Sequence, residues 1–189
     1  MLATHFDFLK ESLRTMRTTG AIMRSSKHLV REMMRPIDFQ RAKILVELGA
    51  GDGVLTYEIL DRMSADARLL VFEINPEFCK ILRGSELVND PRFMLIEDSA
   101  ETLPEHLQRL GIGEVDYIVS AIPFIALPDA LVHRIVEVCR KALKMNGLFI
   151  QFHYSLLIKK MYQRIFGNVE TAFVPLNMPP AFVMRCVKK

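Results

Sequence analysis

The stretch Glu47-Leu48-Gly49-Ala50-Gly51-Asp52-Gly53 joins an apolar run to a helix-like segment, and its residue types limit what it can hold. A strand that feeds a glycine turn, which in turn opens a helix, brings a ligand against bare backbone. A phosphate-cradling Walker loop ends in Gly-Lys-Ser/Thr, and no such ending follows here. A dinucleotide fingerprint wants a third glycine where Val54 stands, and Glu47 puts negative charge under the turn, which suits a pyrophosphate badly. The same carboxylate suits a cationic ligand. Two more acids close apolar runs downstream. Glu73 lies twenty residues after Gly53, where an acid can take the two hydroxyls of a ribose. Asp98 ends the next run, in MLIEDSAETL.

These residues need a scaffold that brings successive strand ends together. From Lys43 onward, apolar and β-branched runs (KILVEL, RLLVFEI, RFMLIED, VDYIVSAI, GLFIQFHY) alternate with helix-like segments near 54–64, 76–84, 100–111, 128–144 and 155–166. Near-continuous apolar strands separated by helices predict an α/β fold with a parallel sheet buried on both faces. The tail NVETAFVPLNMPPAFVMRCV has two strand-like pieces around Pro179-Pro180 and no helix between them. It predicts an antiparallel hairpin that closes the sheet edge. Upstream, residues 4–18 predict a helix with Phe6, Leu9, Leu13 and Met16 on one face and Lys10, Arg14 and Arg17 on another. Ser25 or Ser26 can cap a second helix that runs to Met34, before Pro36.

The pattern Glu-x-Gly-x-Gly-x-Gly, followed by Glu73 and Asp98 at successive strand ends, resembles the class I S-adenosylmethionine methyltransferases. The resemblance implies a Rossmann-like, mostly parallel seven-stranded sheet of order 3-2-1-4-5-7-6. It also implies S-adenosylmethionine as cofactor, held by Glu47, Gly49, Ala50, Gly51 and Gly53, by Glu73 and Ile74, by Asp98 and Ser99, and by Ser120. In that family the glycine turn embraces the amino-acid and sulfonium end, and the acid of the third strand meets the adenine amino group.

The methyl acceptor belongs beyond the fourth strand, at Ser120-Ala121-Ile122-Pro123-Phe124. The ribosomal RNA adenine dimethyltransferases carry Asn-Leu/Ile-Pro-Tyr/Phe there; Ile122-Pro123-Phe124 fits, but Ala121 offers no acceptor to an adenine amino group. Four segments, TTGAIMRSSKHLVREM (18–33), VSAIP (119–123), IQFHYS (150–155) and NMPPAFV (177–183), together resemble the bacterial phosphatidylethanolamine N-methyltransferases. Departures fall at Arg24 for proline, Ala121 for glycine and His153 for threonine. The resemblance implies methylation of a phospholipid amino head group, with Ser120, His153 and Tyr154 at the reacting end. It places Arg24, Lys27, Arg31, Pro123, Phe124, Tyr154 and Asn177 around the substrate. Aromatic faces can hold the cation that methylation leaves, Tyr154 or His153 can relay the proton, and a basic side chain can meet the phosphate. Alternation along the strand favours core for Phe152, and His153 fits equally a pocket or a satisfied structural histidine.

Net charge is +3 over 189 residues, unevenly spread. Residues 1–43 carry nine Lys/Arg against four Asp/Glu, and the remainder carries sixteen against eighteen. The basic amino-terminal part, 1–40, is therefore expected to form a lid or a contact with an anionic membrane surface, and 41–189 to form the cofactor-binding domain. Without a spanning apolar run or a signal peptide, the expected location is the cytoplasm, peripheral to the inner membrane face. Three widely spaced cysteines, Cys79, Cys139 and Cys186, predict reduced, packed thiols and no metal site. No basic stripe with interleaved aromatics points to nucleic acid. An RNA adenine methyltransferase and a non-catalytic cofactor-binding, membrane-associated protein are the competing readings.

Overall fold

A computed structural model of the chain describes residues 26–189. The expected helix over 4–18 and the substrate role of Arg24 lie outside the described residues. The Ser26 hydroxyl accepts the Leu29 N–H at 3.2 Å and starts helix α1, Lys27–Met34. Such a side chain satisfies one of the N–H groups that a helix start leaves unpaired. Leu29, Val30, Met33 and Met34 line one face of α1, and with Ile37 they are buried in the core on one side of the sheet. The described end of the 1–40 segment thus shares its core with the sheet.

Twelve elements follow: β1 (Ile44–Leu48), α2 (Val54–Arg62), β2 (Arg68–Phe72), α3 (Pro76–Arg83), β3 (Phe93–Ile96), α4 (Leu103–Arg109), β4 (Val115–Ser120), α5 (Asp129–Ala142), β5 (Leu143–His153), α6 (Lys159–Phe166), β6 (Glu170–Val174) and β7 (Ala181–Val187). They build a seven-stranded sheet of order β3-β2-β1-β4-β5-β7-β6. The first five strands pair in parallel, and β7 runs antiparallel to both β5 and β6. Fold, strand order and terminal hairpin agree with the sequence reading. β1 and β2 read as near-continuous apolar runs, broken by Glu47 in β1, because both faces are covered: α1, α2 and α3 supply one core, and α4, α5 and α6 the other. The three cysteines are buried and free.

Several boundaries differ from the sequence pattern, among them the start of α6, expected near 155 and found at Lys159. The helix expected to reach residue 144 gives way at Leu143, which already pairs with Val115 as part of β5. Asn146, at a φ of 64°, turns the chain there, a conformation asparagine tolerates better than most residues. A 3-10 turn, Glu86–Asn89, also fills a stretch with no clear periodicity.

Parallel strands bring their carboxyl ends to one edge. Asp116, at the opposite edge, accepts the Lys43 and Ile44 N–H groups at 2.8 Å each and pairs with Lys144, so it is a structural joint. At the carboxyl edge stand the glycine turn after β1, Glu73 after β2, Asp98 after β3, residues 120–124 after β4, and His153 and Tyr154 at the end of β5. The β6–β7 turn reaches the same edge, because Phe182 lies opposite His153.

The fully buried Met33 makes α1 part of the folded unit. Met33→Ala is expected to cost about 2–5 kcal/mol in chemical denaturation, the usual range for emptying such a site. Lys27→Ala, on the exposed face of α1, should stay within about 0.5 kcal/mol of the parent.

Candidate active site

The glycine turn is fixed by its neighbours. The Gly49 N–H donates to the Phe72 carbonyl at 2.8 Å. With φ at 76° and room for no Cβ, since one would sit 2.9 Å from Ile122 Cγ1, Gly49 tolerates no side chain. Donor turn and acceptor turn therefore touch, and the Ala121 N–H donates to the Leu48 carbonyl at 2.9 Å beside them. Gly51 is the contrasting case. At φ 58° a Cβ there would meet nothing within 4 Å, so its bare backbone faces open space.

Glu73 ties this turn to β2. Its Oε2 accepts the Gly51 N–H, and its Oε1 accepts those of Ile74 and Asn75, each at 2.8 Å. A carboxylate has about four acceptor directions, so three are taken. Two ribose hydroxyls can both bond Glu73 only if one backbone N–H lets go. Burial raises the Glu73 pKa, and these N–H groups work against the rise.

Glu47 lies beneath the turn, fully buried. Its Oε2 accepts the Thr56 hydroxyl at 2.7 Å, while Oε1 is buried with no hydrogen-bond partner. Burial pushes its pKa up to about 8; the Thr56 bond opposes the rise and nearby Glu73 adds to it. A buried acid with an orphaned oxygen calls for a cation or a donor, because an unpaired buried charge is costly.

Asp98 accepts its neighbour's N–H, Ser99, at 2.7 Å through Oδ1, and its Oδ2 lies 2.9 Å from His106 Nε2. Burial alone would raise its pKa, but the His106 and Ser99 bonds outweigh it and the net shift is downward. His106 in turn packs edge-on against Phe72, with ring centroids 5.5 Å apart.

The acceptor end is uncharged. Ser120 is fully buried, and its Oγ accepts the Ile122 N–H at a long 3.4 Å. Gln151 holds the turn by donating to the carbonyls of Ile122 (3.0 Å) and Phe152 (3.1 Å). Phe124 is buried, with its ring 6.1 Å from that of His153. His153 Nε2 lies 2.8 Å from the Tyr162 hydroxyl, and burial lowers its pKa to about 4. His153 is thus a neutral, partnered histidine, with Nε2 committed to Tyr162. Tyr154 is more open and stays protonated, since burial raises its pKa while a bond to Asn177 opposes the rise. Phe152 packs into the core beside α1 and edge-on against Tyr154.

The structure brings Glu47, Gly49, Ala50, Gly51, Gly53, Glu73, Ile74, Asp98, Ser99, Ser120, Pro123, Phe124, His153, Tyr154 and Asn177 to one edge of the sheet. Lys27 and Arg31 are not at a strand end but exposed on α1, whose start adjoins the β6–β7 turn through the Ser26–Asn177 bond. Asn177 is already engaged: Oδ1 accepts the Ser26 N–H at 3.0 Å and Nδ2 donates to the Pro179 carbonyl at 2.7 Å. Thr56, His106, Gln151 and Tyr162 were not foreseen, for they lie on helices and a strand whose periodicity marks them only as interior.

Glycine turn, strand-end acids and sheet order together define a class I S-adenosylmethionine-dependent methyltransferase. The orphaned oxygen of Glu47 and the open space over Gly51 fit that cationic cofactor. The chain belongs to the methyltransferase small domain family, whose model matches residues 12–174. It is 32% identical to an ornithine lipid N-methyltransferase of Singulisphaera acidiphila, over 96% of this chain and 94% of that one. An rRNA adenine N-6-methyltransferase of Lysinibacillus sphaericus is 23% identical, over 87% of this chain and 77% of its own. Among solved structures, a precorrin-6y C5,15-methyltransferase from Geobacter metallireducens superposes with a TM-score of 0.67 at 16% identity, covering 87% of this chain and 89% of that one.

Glu47 gives a pH signature in the cofactor-free protein. With its folded pKa raised from 4.5 to about 8, its contribution is fully present below pH 4.5 and is lost as pH climbs through 8. Glu47→Gln should therefore gain stability relative to the parent as pH rises from 4.5 to 8, by on the order of several kcal/mol. Denaturant titrations across that window check this; parallel pH profiles would show that Glu47 ionises freely in the fold.

Proposed function

We propose that this enzyme transfers methyl groups from S-adenosylmethionine to the primary amine of a membrane-lipid head group. Ornithine lipid is the first substrate to test and phosphatidylethanolamine the second. The observation that carries the reading is the likeness to an ornithine lipid N-methyltransferase along 96% of the chain. The uncharged, aromatic acceptor end supports it. A lipid amine must be neutral to attack, and the burial that lowers His153 to about 4 also disfavours an ammonium ion there.

Bound S-adenosylmethionine supplies an electrophilic methyl group on a sulfonium. Glu47 and the bare backbone of Gly49 and Gly51 hold its charged end, with Ala50 and Gly53 completing the turn. Glu73 and Ile74 meet the ribose, and Asp98 and Ser99 the adenine. Ser120 and the contact between Gly49 and Ile122 fix the approach of the amine to the methyl group, which is most of what such a displacement needs. Tyr154 orients the amine through its hydroxyl and passes the proton released after transfer to solvent. Phe124 offers a ring face to the methylated cation, while Pro123 shapes the turn. His153, bonded to Tyr162, keeps the pocket neutral rather than serving as the base. Lys27 and Arg31, exposed on α1, are the cations assigned to a head-group phosphate such as phosphatidylethanolamine carries, together with Arg24, which lies outside the described residues.

An RNA adenine methyltransferase is the second reading, supported by the 23% identical relative. Ala121 weighs against it, having no acceptor for a base amino group.

Labelled S-adenosylmethionine, mixed with each lipid in detergent and with ribosomal RNA, separates these readings by where the label goes. Label in lipid and none in adenine is expected; label in adenine alone overturns the reading. Tyr154→Phe should lower kcat about tenfold or more with little change in cofactor affinity. Glu73→Ala should instead weaken cofactor binding by about 1–3 kcal/mol, read by calorimetry.

A further inference from the structure

Three turns surround the acceptor end of the sheet: residues 123–128 after β4, 154–160 after β5, and 175–180 between β6 and β7. Each pushes large apolar side chains into solvent. Ile125 is 79% exposed, Leu157 85%, Leu176 65% and Met178 70%, with Leu156 beside them. Exposed apolar residues scattered singly need no explanation. These are not scattered, for all lie in the three turns that adjoin Phe124, His153 and Tyr154 at one edge of the sheet.

Their nearest charged neighbours are mostly basic, with the exposed Asp129 at the start of α5 as the exception. The three turns contain no Asp or Glu, and the second ends in Lys159-Lys160. Lys27 stands next to the third turn, because the Ser26 N–H donates to Asn177 in that turn. Apolar tips backed by lysines match a bilayer surface, whose acyl boundary takes the tips while anionic head groups meet the cations. A protein partner would need a continuous complementary surface, whereas separate protruding tips suit a fluid one.

We infer that these three turns are the membrane-docking surface of the enzyme. Ile125, Leu157, Leu176 and Met178 enter the head-group boundary, and Lys159 and Lys160 sit at the phosphate level. The acceptor end of the sheet then faces the bilayer, and a lipid amine reaches it without leaving the membrane. The cofactor side, under α2 and α3, stays in water. The inference rests on the reading that the acceptor is a lipid. It differs from docking through the amino-terminal segment alone, because it puts the contact on turns that adjoin the acceptor end of the sheet.

The chain has no tryptophan, so an introduced indole reports one position. Full-length Leu157→Trp and Tyr57→Trp, the latter on α2 at the cofactor side, are mixed with vesicles of phosphatidylcholine and phosphatidylglycerol in equal parts. Leu157→Trp emission should shift to the blue and be quenched by brominated acyl chains, while Tyr57→Trp emission stays put. The triple variant Ile125→Ser/Leu157→Ser/Met178→Ser should float with vesicles at least about tenfold less, given what burial of such side chains contributes. Its cofactor affinity should be unchanged, which shows it is folded. Lys159→Gln/Lys160→Gln should weaken flotation only with phosphatidylglycerol present and only at low salt. An unshifted Leu157→Trp spectrum on vesicles that bind the protein overturns the inference, as does a blue shift that appears without vesicles as protein concentration rises. If the indole inserts but neither lipid amine is methylated, the docking stands and the substrate reading fails. Methylation of detergent-dispersed lipid without insertion gives the reverse.

Discussion

The Glu73 carboxylate holds the site together. Buried at the end of β2, it accepts one N–H from the glycine turn and two from its own strand end, each at 2.8 Å. The Gly49–Phe72 bond fixes the same turn to β2 beside it. The turn in turn fixes the acceptor side, because Gly49 leaves no room between itself and Ile122. One charged group thus links the ends of β2, β1 and β4. A ribose that bonds the same carboxylate competes with a backbone N–H, so cofactor entry and small movements of the turn are coupled through Glu73 on the proposed reading.

Burial acts in opposite senses at the two halves of the site. Under the glycine turn it raises the pKa of Glu47 and Glu73, so their carboxylate form is costly there until a cation or a donor meets it. At the acceptor end it keeps His153 neutral and leaves the Tyr154 hydroxyl protonated. The cofactor half is therefore acidic and waits for positive charge, while the acceptor half carries none and disfavours an ammonium. That division suits transfer from a sulfonium to an uncharged amine. Beyond the acceptor half, the apolar turns extend the same low polarity outward to where a lipid would arrive.

Much of this was legible in the letters because its physical cause is local. Strands buried on both faces read as near-continuous apolar runs, as at β1 and β2, and helices betray themselves by spacing, as the buried Leu131, Val132, Ile135 and Val136 do in α5. Glycines at 49 and 51 and acids at 47, 73 and 98 stand out because few folds need them there. What escaped notice depends on contacts between distant segments. Tyr162 looks like one more interior residue of α6 until the sheet brings His153 within 2.8 Å. Likewise His106 reaches Asp98 only through the turn of chain that starts α4, and Asn177, singled out for substrate, is found holding the start of α1. The Leu143 start of β5 was hidden because its residues also continue a helical pattern.

The proposed placement of a cationic cofactor over Glu47 has a direct thermodynamic reading. With its pKa near 8 in the empty site, Glu47 is mostly protonated at pH 7, and a cation above it favours the carboxylate. Calorimetry of S-adenosylmethionine binding at pH 7, repeated in buffers of different ionisation enthalpy, counts the protons exchanged. Release of up to about one proton per cofactor is predicted, vanishing in Glu47→Gln. Binding with no proton release in the parent, or the same release in Glu47→Gln, would contradict it.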